Sequence, residues 1–154
     1  MTDQVFDRAE LAEAVGNDIA DMAHFWMLRK FQFLEPACEQ FEIIVDPWLS
    51  YCEEPSQNEI MAYNMAFTDW LLFERPYYHG KTLLELYVDE PPASISPASL
   101  GRLKQVRDTQ YFSRFGILDK DPANGMVALK DTLTDRRFDV YDPHIVQKEH
   151  WNDG

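Results

Sequence analysis

The sequence predicts an α+β fold: about five helices followed by a C-terminal three-stranded antiparallel meander packed on them. Three observations lead there. Apolar residues recur at spacings of three and four through the first two thirds of the chain, the period of a helix with one buried face. Near residue 115 the period changes to two, that of a half-buried strand. Turn signals separate the alternating runs: Asp121-Pro122-Ala123-Asn124-Gly125 and the polar residues 131–136.

The first helix is expected over residues 7–33. Leu11, Val15, Ile19, Met22 and Trp26 share one face, and Asp7 and Glu10 have the spacing of a capping box. Pro36 marks a new start. Phe41, Ile44, Val45, Trp48 and Leu49 form a second helical stripe, with Pro47 as its expected kink. Ser56-Gln57-Asn58-Glu59 is a capping box that opens a helix of about 18 residues. Its apolar residues, Ile60, Tyr63, Phe67, Trp70, Leu71 and Phe73, cover two sides, so it is expected at the centre of the core, ending before Pro76. Thr82-Leu83-Leu84-Glu85 caps a short helix to about Val88. Ser96 and Pro97 start a further helix after a Pro- and Ser-rich loop. The strands centre on Phe115 and Ile117 (with Asp119 continuing the alternation), on Val127 and Leu129, and on Phe138 and Val140. Residues 1–142 are therefore expected to form one α+β domain and residues 143–154 a flexible polar tail.

Composition narrows the function classes. The chain has 154 residues, 45% of them apolar, with ten Phe, seven Tyr and four Trp, enough for one core built from large pieces. The start, Met1-Thr2-Asp3-Gln4, has neither the basic nor the apolar stretch of a secretory signal. No apolar run approaches the ~20 residues a spanning helix needs. A cytoplasmic location is expected. The two cysteines, Cys38 and Cys52, match no CxxC or zinc spacing and are expected as buried reduced thiols.

The net charge of −13 is unevenly placed. Residues 1–95 hold 18 acids against 5 bases, whereas residues 96–154 hold 9 of each. Such a surface repels nucleic acid and anionic membrane, so neither is expected as a direct partner. It suits a basic protein partner, and the cluster Glu39, Glu42, Asp46, Glu53 and Glu54 is the candidate contact. An acidic mimic of nucleic acid is the other reading of the same charge.

Catalytic signatures are sparse. Gly80-Lys81-Thr82 resembles the end of a phosphate loop, but the position five before Gly80 holds Arg75 in place of glycine. A turn followed by a capped helix explains these residues. His144 and His150, with Asp142 and Glu149, fit no standard metal spacing, so no metal and no cofactor are expected. His24 in the first helix reads as structural. Tyr77, Tyr78 and His79 could line a pocket, the basis for an alternative reading as a small-molecule binder or an enzyme of unrecognised type. The remaining aromatics, among them Trp26, Trp48, Trp70, Tyr63 and Phe67, are expected in the core.

Two stretches carry a resemblance. The first is Trp70-Leu71-Leu72-Phe73-Glu74 with Gly80-Lys81-Thr82-Leu83-Leu84-Glu85-Leu86-Tyr87. The second is Phe112-Ser113-Arg114-Phe115-Gly116-Ile117-Leu118 with Val127-Ala128-Leu129-Lys130-Asp131-Thr132-Leu133-Thr134 and Phe138-Asp139-Val140. Over residues 57–142 the chain resembles the uncharacterised domain of bacterial proteins that often end in a SEC-C zinc motif. The resemblance implies no catalytic role. The cysteine cluster of a SEC-C tail is missing after Asp142, so a zinc role tied to that tail is not implied here.

Overall fold

The computed structural model describes residues 2–45 and 54–146, with side chains from residue 8 onward. Among these residues there are six α-helices and a three-stranded antiparallel sheet that follows the first five, an α+β arrangement. They fall into two compact units, Glu13–Gln110 and Met1–Ala12 with Tyr111–Gly154.

Helix α1 spans Thr2–Met27. It begins five residues earlier than expected because nothing in residues 2–6 breaks a helix, so Asp7 and Glu10 lie inside the helix and not at its start. It also ends earlier. Arg29 N–H donates to Trp26 O at 2.8 Å and a 3-10 turn follows at Lys30–Gln32. Helix α2, Leu34–Val45, starts at once. Pro36 explains the break. In the interior of a continuous helix its ring would clash with the carbonyl four residues earlier. In the first turn of α2 its missing N–H costs nothing. The expected continuation of this stripe, Trp48 and Leu49 with the kink at Pro47, lies outside the described residues.

Helix α3, Gln57–Phe73, has the expected capping box: Ser56 Oγ accepts from Glu59 N–H at 3.2 Å and Glu59 Oε2 accepts from Ser56 N–H at 2.7 Å. Helix α4, Leu83–Asp89, is capped in the same way by Thr82 and Glu85. Helix α5, Pro97–Thr109, has Ser96 as N-cap, accepting from Ser99 N–H at 3.1 Å.

The core of the first unit is not centred on α3. Only Leu71 and Leu72 of that helix are buried, while Ile60, Met61 and Met65 are exposed. Met22 and Trp26 of α1, Phe33, and Leu83, Leu84, Tyr87 and Val88 of α4 form its interior. Aromatic rings meet there edge to face: Trp26 lies 5.1 Å from Phe25, 6.1 Å from Phe33 and 6.2 Å from Tyr77, centroid to centroid. Trp26 Nε1 also donates to Leu83 O at 3.2 Å, tying α1 to α4. A second aromatic group joins α2 to α3, with Phe41 within 5.3 Å of Tyr63, Phe67 and Trp70. Asp18 and Arg102 tie α1 to α5 by a two-pronged ion pair at 2.6 and 3.3 Å.

In the second unit, β1 (Phe115–Asp121), β2 (Met126–Asp131) and β3 (Arg137–Tyr141) pair in sequence order. Gly125, at φ +65°, closes the first turn; a Cβ there would lie 3.1 Å from the Tyr141 ring. Asp131 organises the second turn, its Oδ1 accepting from Ser113 Oγ at 2.7 Å and Leu133 N–H at 2.9 Å. One detail differs from strict alternation. The register slips between Ile117 and Asp119, leaving Leu118 as an extra residue, so Lys120 and not Asp119 pairs with Val127. Asp142 Oδ1 accepts from the N–H groups of His144 and Ile145 and starts a single helical turn, α6 (Pro143–Val146). No described helix is long and apolar enough to cross a membrane.

Candidate functional site

Two surfaces of the Glu13–Gln110 unit bring candidate residues together. The first is a cleft of about 520 Å³, within the range usual for small-molecule sites. Its aromatic walls come from three places: Phe25 and Trp26 at the end of α1, the Tyr77–Tyr78 pair, and Tyr87 on α4. The local sequence explains the turn that carries His79. Lys81 N–H donates to Tyr78 O at 2.9 Å, and Tyr77 and Tyr78 N–H donate back to Lys81 O at 2.8 and 3.3 Å. Such a two-residue turn puts both central residues at positive φ, here His79 at +51° and Gly80 at +74°. Glycine takes this conformation freely, but histidine takes it at a cost, a kind of strain that gathers at functional sites. The turn packs the His79 ring 4.0 Å from that of Tyr78. Gly80 and Lys81 therefore belong to a tight turn and Thr82 to a helix cap, with no phosphate loop.

The charges in the cleft are mixed. Arg29 lies over the Phe25 ring, its Cζ 3.7 Å from the centroid, and its Nη1 donates to Phe25 O at 2.9 Å. Lys81 pairs with Asp89. That hydrogen bond lowers the Asp89 carboxyl and raises the Lys81 ammonium from their ordinary values. Glu90 caps the C-terminal end of α4 beside them. Among the described residues neither Arg29 nor Glu90 has an ion-pair partner.

The second surface is a groove of about 410 Å³ along α2. Glu35, Glu39 and Glu42 recur at steps of four and three, so they share one side of the helix. Between and beside them lie Leu34, Cys38, Phe31 and Lys30, whose Nζ stands 5.6 Å from the centroid of the Phe31 ring. Phe31 is 94% exposed, an extreme for so large a ring. Cys38 is exposed and not buried as expected, because it sits on the acidic side of α2, opposite Ala37 and Phe41. Partial desolvation and then the Glu42 carboxylate push its thiol up, so it is a poor nucleophile.

Of the five acids singled out from sequence, Glu39 and Glu42 thus line one groove, and Glu54 is exposed ahead of α3. Asp46, Glu53 and also Cys52 lie outside the described residues. Tyr77, Tyr78 and His79 lie together in the cleft. His24 is exposed on α1. Sequence reasoning missed Phe31, Glu35 and Arg29. The spacing of Glu35, Glu39 and Glu42 was a usable signal for the groove. Nothing local to Arg29 signals that it lines the same cleft as Tyr77. Arg75 is a further surprise: it is 7% exposed, its Nε donates to Gln40 Oε1 at 2.8 Å, and its Nη1 has no hydrogen-bond partner among the described residues. Burial lowers its pKa from the ordinary value. Among the described residues no three His, Cys, Asp or Glu side chains converge as a metal site requires. Compared with protein families, with characterised proteins and with solved structures, the chain matches none of them.

Proposed function

We propose that this protein is a non-catalytic interaction module that docks a basic, amphipathic protein segment along α2. The observation that carries the reading is the groove in which a nearly fully exposed Phe31 stands beside Leu34 and the acidic row Glu35, Glu39 and Glu42. An isolated exposed apolar residue is ordinary, but here the Phe31 ring stands beside three glutamates against a single cation, Lys30, and that predominantly acidic rim fits a partner with the complementary pattern. Such a segment would cover Phe31 and Leu34 with its apolar face and set Lys or Arg against the glutamates. Asp46 continues the row in sequence, and Glu53 and Glu54 belong to the same acidic stretch. The raised Cys38 thiol agrees with a binding role better than with nucleophilic catalysis. The resemblance over residues 57–142 is part of this proposal, since it too implies no catalytic role.

The test is affinity capture with the native chain beside two variants, Phe31→Ser and Glu39→Gln/Glu42→Gln. Both surfaces are exposed, so the fold should persist. The expected result is a partner lost from both variants and weakened by salt, because exposed charges are screened within ~8 Å at physiological ionic strength. A partner held equally by all three forms and indifferent to salt would remove the α2 groove from consideration.

A further inference from the structure

We propose that the cleft beside the Tyr78–Lys81 turn binds a free amino acid with an aromatic side chain. This site is separate from the α2 groove and does not depend on the docking reading. Cations are scarce in this part of the chain. Residues 1–95 contain only five Lys and Arg, and two of them, Arg29 and Lys81, line this one cleft. Lys81 and Asp89 satisfy each other. That leaves one cation, Arg29, and one anion, Glu90, on the same cleft outside any ion pair among the described residues, with Lys81 acting on Glu90 only at longer range. A monovalent ligand of either sign would neutralise only one of them. A zwitterion neutralises both.

The two groups suit the two ends of an amino acid. Arg29 is held in place by Phe25 twice, through the ring below it and the carbonyl that accepts from Nη1. Its remaining donors form the planar fork that pairs with a carboxylate, and little rotamer freedom is left to lose on binding. Glu90, with Asp89 next to it, faces an ammonium group. The rest of the lining is mostly apolar or aromatic, with Gln32 and His79 as its polar members; Tyr77, Tyr78 and Leu86 are the stacking surfaces, whereas Tyr87 is buried in the core. Phe25 is not available as one, because Arg29 covers its face. A ligand with a flat apolar side chain uses this wall, whereas a small amino acid leaves it wet. The unfavourable backbone of His79 holds the turn that places Tyr77 and Tyr78 there.

The test is calorimetric titration of the full chain with four probes: L-phenylalanine, 3-phenylpropionate, phenethylamine and L-alanine. L-Phenylalanine is expected to saturate one site. Each of the other three lacks one recognised feature and should bind about tenfold more weakly or worse. Glu90→Gln, at an exposed position, should weaken L-phenylalanine several-fold and leave 3-phenylpropionate unchanged. Arg29→Gln should do the reverse, weakening L-phenylalanine and sparing phenethylamine. No saturation by L-phenylalanine at millimolar concentration overturns the proposal. So does equal binding of 3-phenylpropionate, which would make the cleft a plain carboxylate site. Unchanged L-phenylalanine affinity in Glu90→Gln overturns it as well, and that variant avoids the packing role of Arg29. Each of these failures leaves the α2 groove untouched, so the two readings can fail separately.

Discussion

Replacing Trp26 with phenylalanine tests how the helical unit is held together. Trp26 is 9% exposed, stands among Phe25, Phe33 and Tyr77, and is the side chain that ties α1 to Leu83 at the head of α4. Phenylalanine keeps most of the ring packing but removes the indole N–H and about two carbon-sized groups. Those groups are worth ~0.8 kcal/mol each when buried, and the hydrogen bond adds ~1 kcal/mol. The sum is about 2–3 kcal/mol, a large share of the stability of an ordinary domain. For a chain of 154 residues that corresponds to a fall in melting temperature of about 5–10 °C. The assay is urea and thermal unfolding followed by circular dichroism at 222 nm, with Trp70→Phe as comparison. Trp70 is only half-buried, so its replacement should cost less than half as much. A cost below about 0.5 kcal/mol for Trp26→Phe, or equal costs for the two, would show that the Trp26–Leu83 contact does not join these helices.

Two further outcomes follow from the geometry. Asp18 is 5% exposed and its carboxyl is lowered from the ordinary 3.8, first by the hydrogen bond from Arg102 and further by Ser99. A depressed carboxyl stabilises the fold above its unfolded value and loses that contribution as pH falls through the folded one. The melting-temperature gap between the native chain and Asp18→Asn should therefore be steady from pH 7 to pH 5 and close as pH drops below 3.8. A gap that stays constant into acid would mean that the ion pair does not supply it. Gly80→Ala should cost ~1 kcal/mol, the penalty of a left-handed backbone for a residue with a Cβ. The reason is that Gly80 lies at φ +74° and a Cβ there meets nothing within 4 Å. Thermal melts showing no loss would contradict the turn geometry.

What could be read from the sequence was what is decided locally. A capping box needs four consecutive residues, and Ser56–Glu59 and Thr82–Glu85 both form as their spacing implies. The strands were legible for the same reason, since alternation and turn residues lie next to each other in the chain. Coverage was not legible. The apolar residues of α3 were plain, but whether Ile60, Met61 and Met65 find a neighbour depends on how far α2 and α4 reach along that helix. The α1–α2 break was half visible: Pro36 forbids a continuous helix but does not say where the turn falls. The cleft was half visible too. Tyr77, Tyr78 and His79 stood out as aromatics beside a glycine, yet Arg29 lies 48 positions before Tyr77 in the chain, and Glu90 comes from the far end of another helix. Pattern reasoning has no term for such meetings, which packing alone decides.

The slip at Leu118 bears on how this chain behaves at high concentration. A three-stranded sheet in the order β1-β2-β3 has two outer strands, and the outer flank of an edge strand is a template on which another chain could lay a strand. β1 meets this hazard with an irregular backbone at Leu118, followed by Asp119, Lys120 and Asp121. β3 meets it with brevity, five residues, and with charge at Arg137 and Asp139. A bulged strand cannot match the even rungs of an incoming partner, and buried like charges would oppose stacking of identical copies. The same insertion that breaks the alternation of β1 thus guards the sheet against fibre growth, and a variant lacking Leu118 would regain an even rung pattern along that flank.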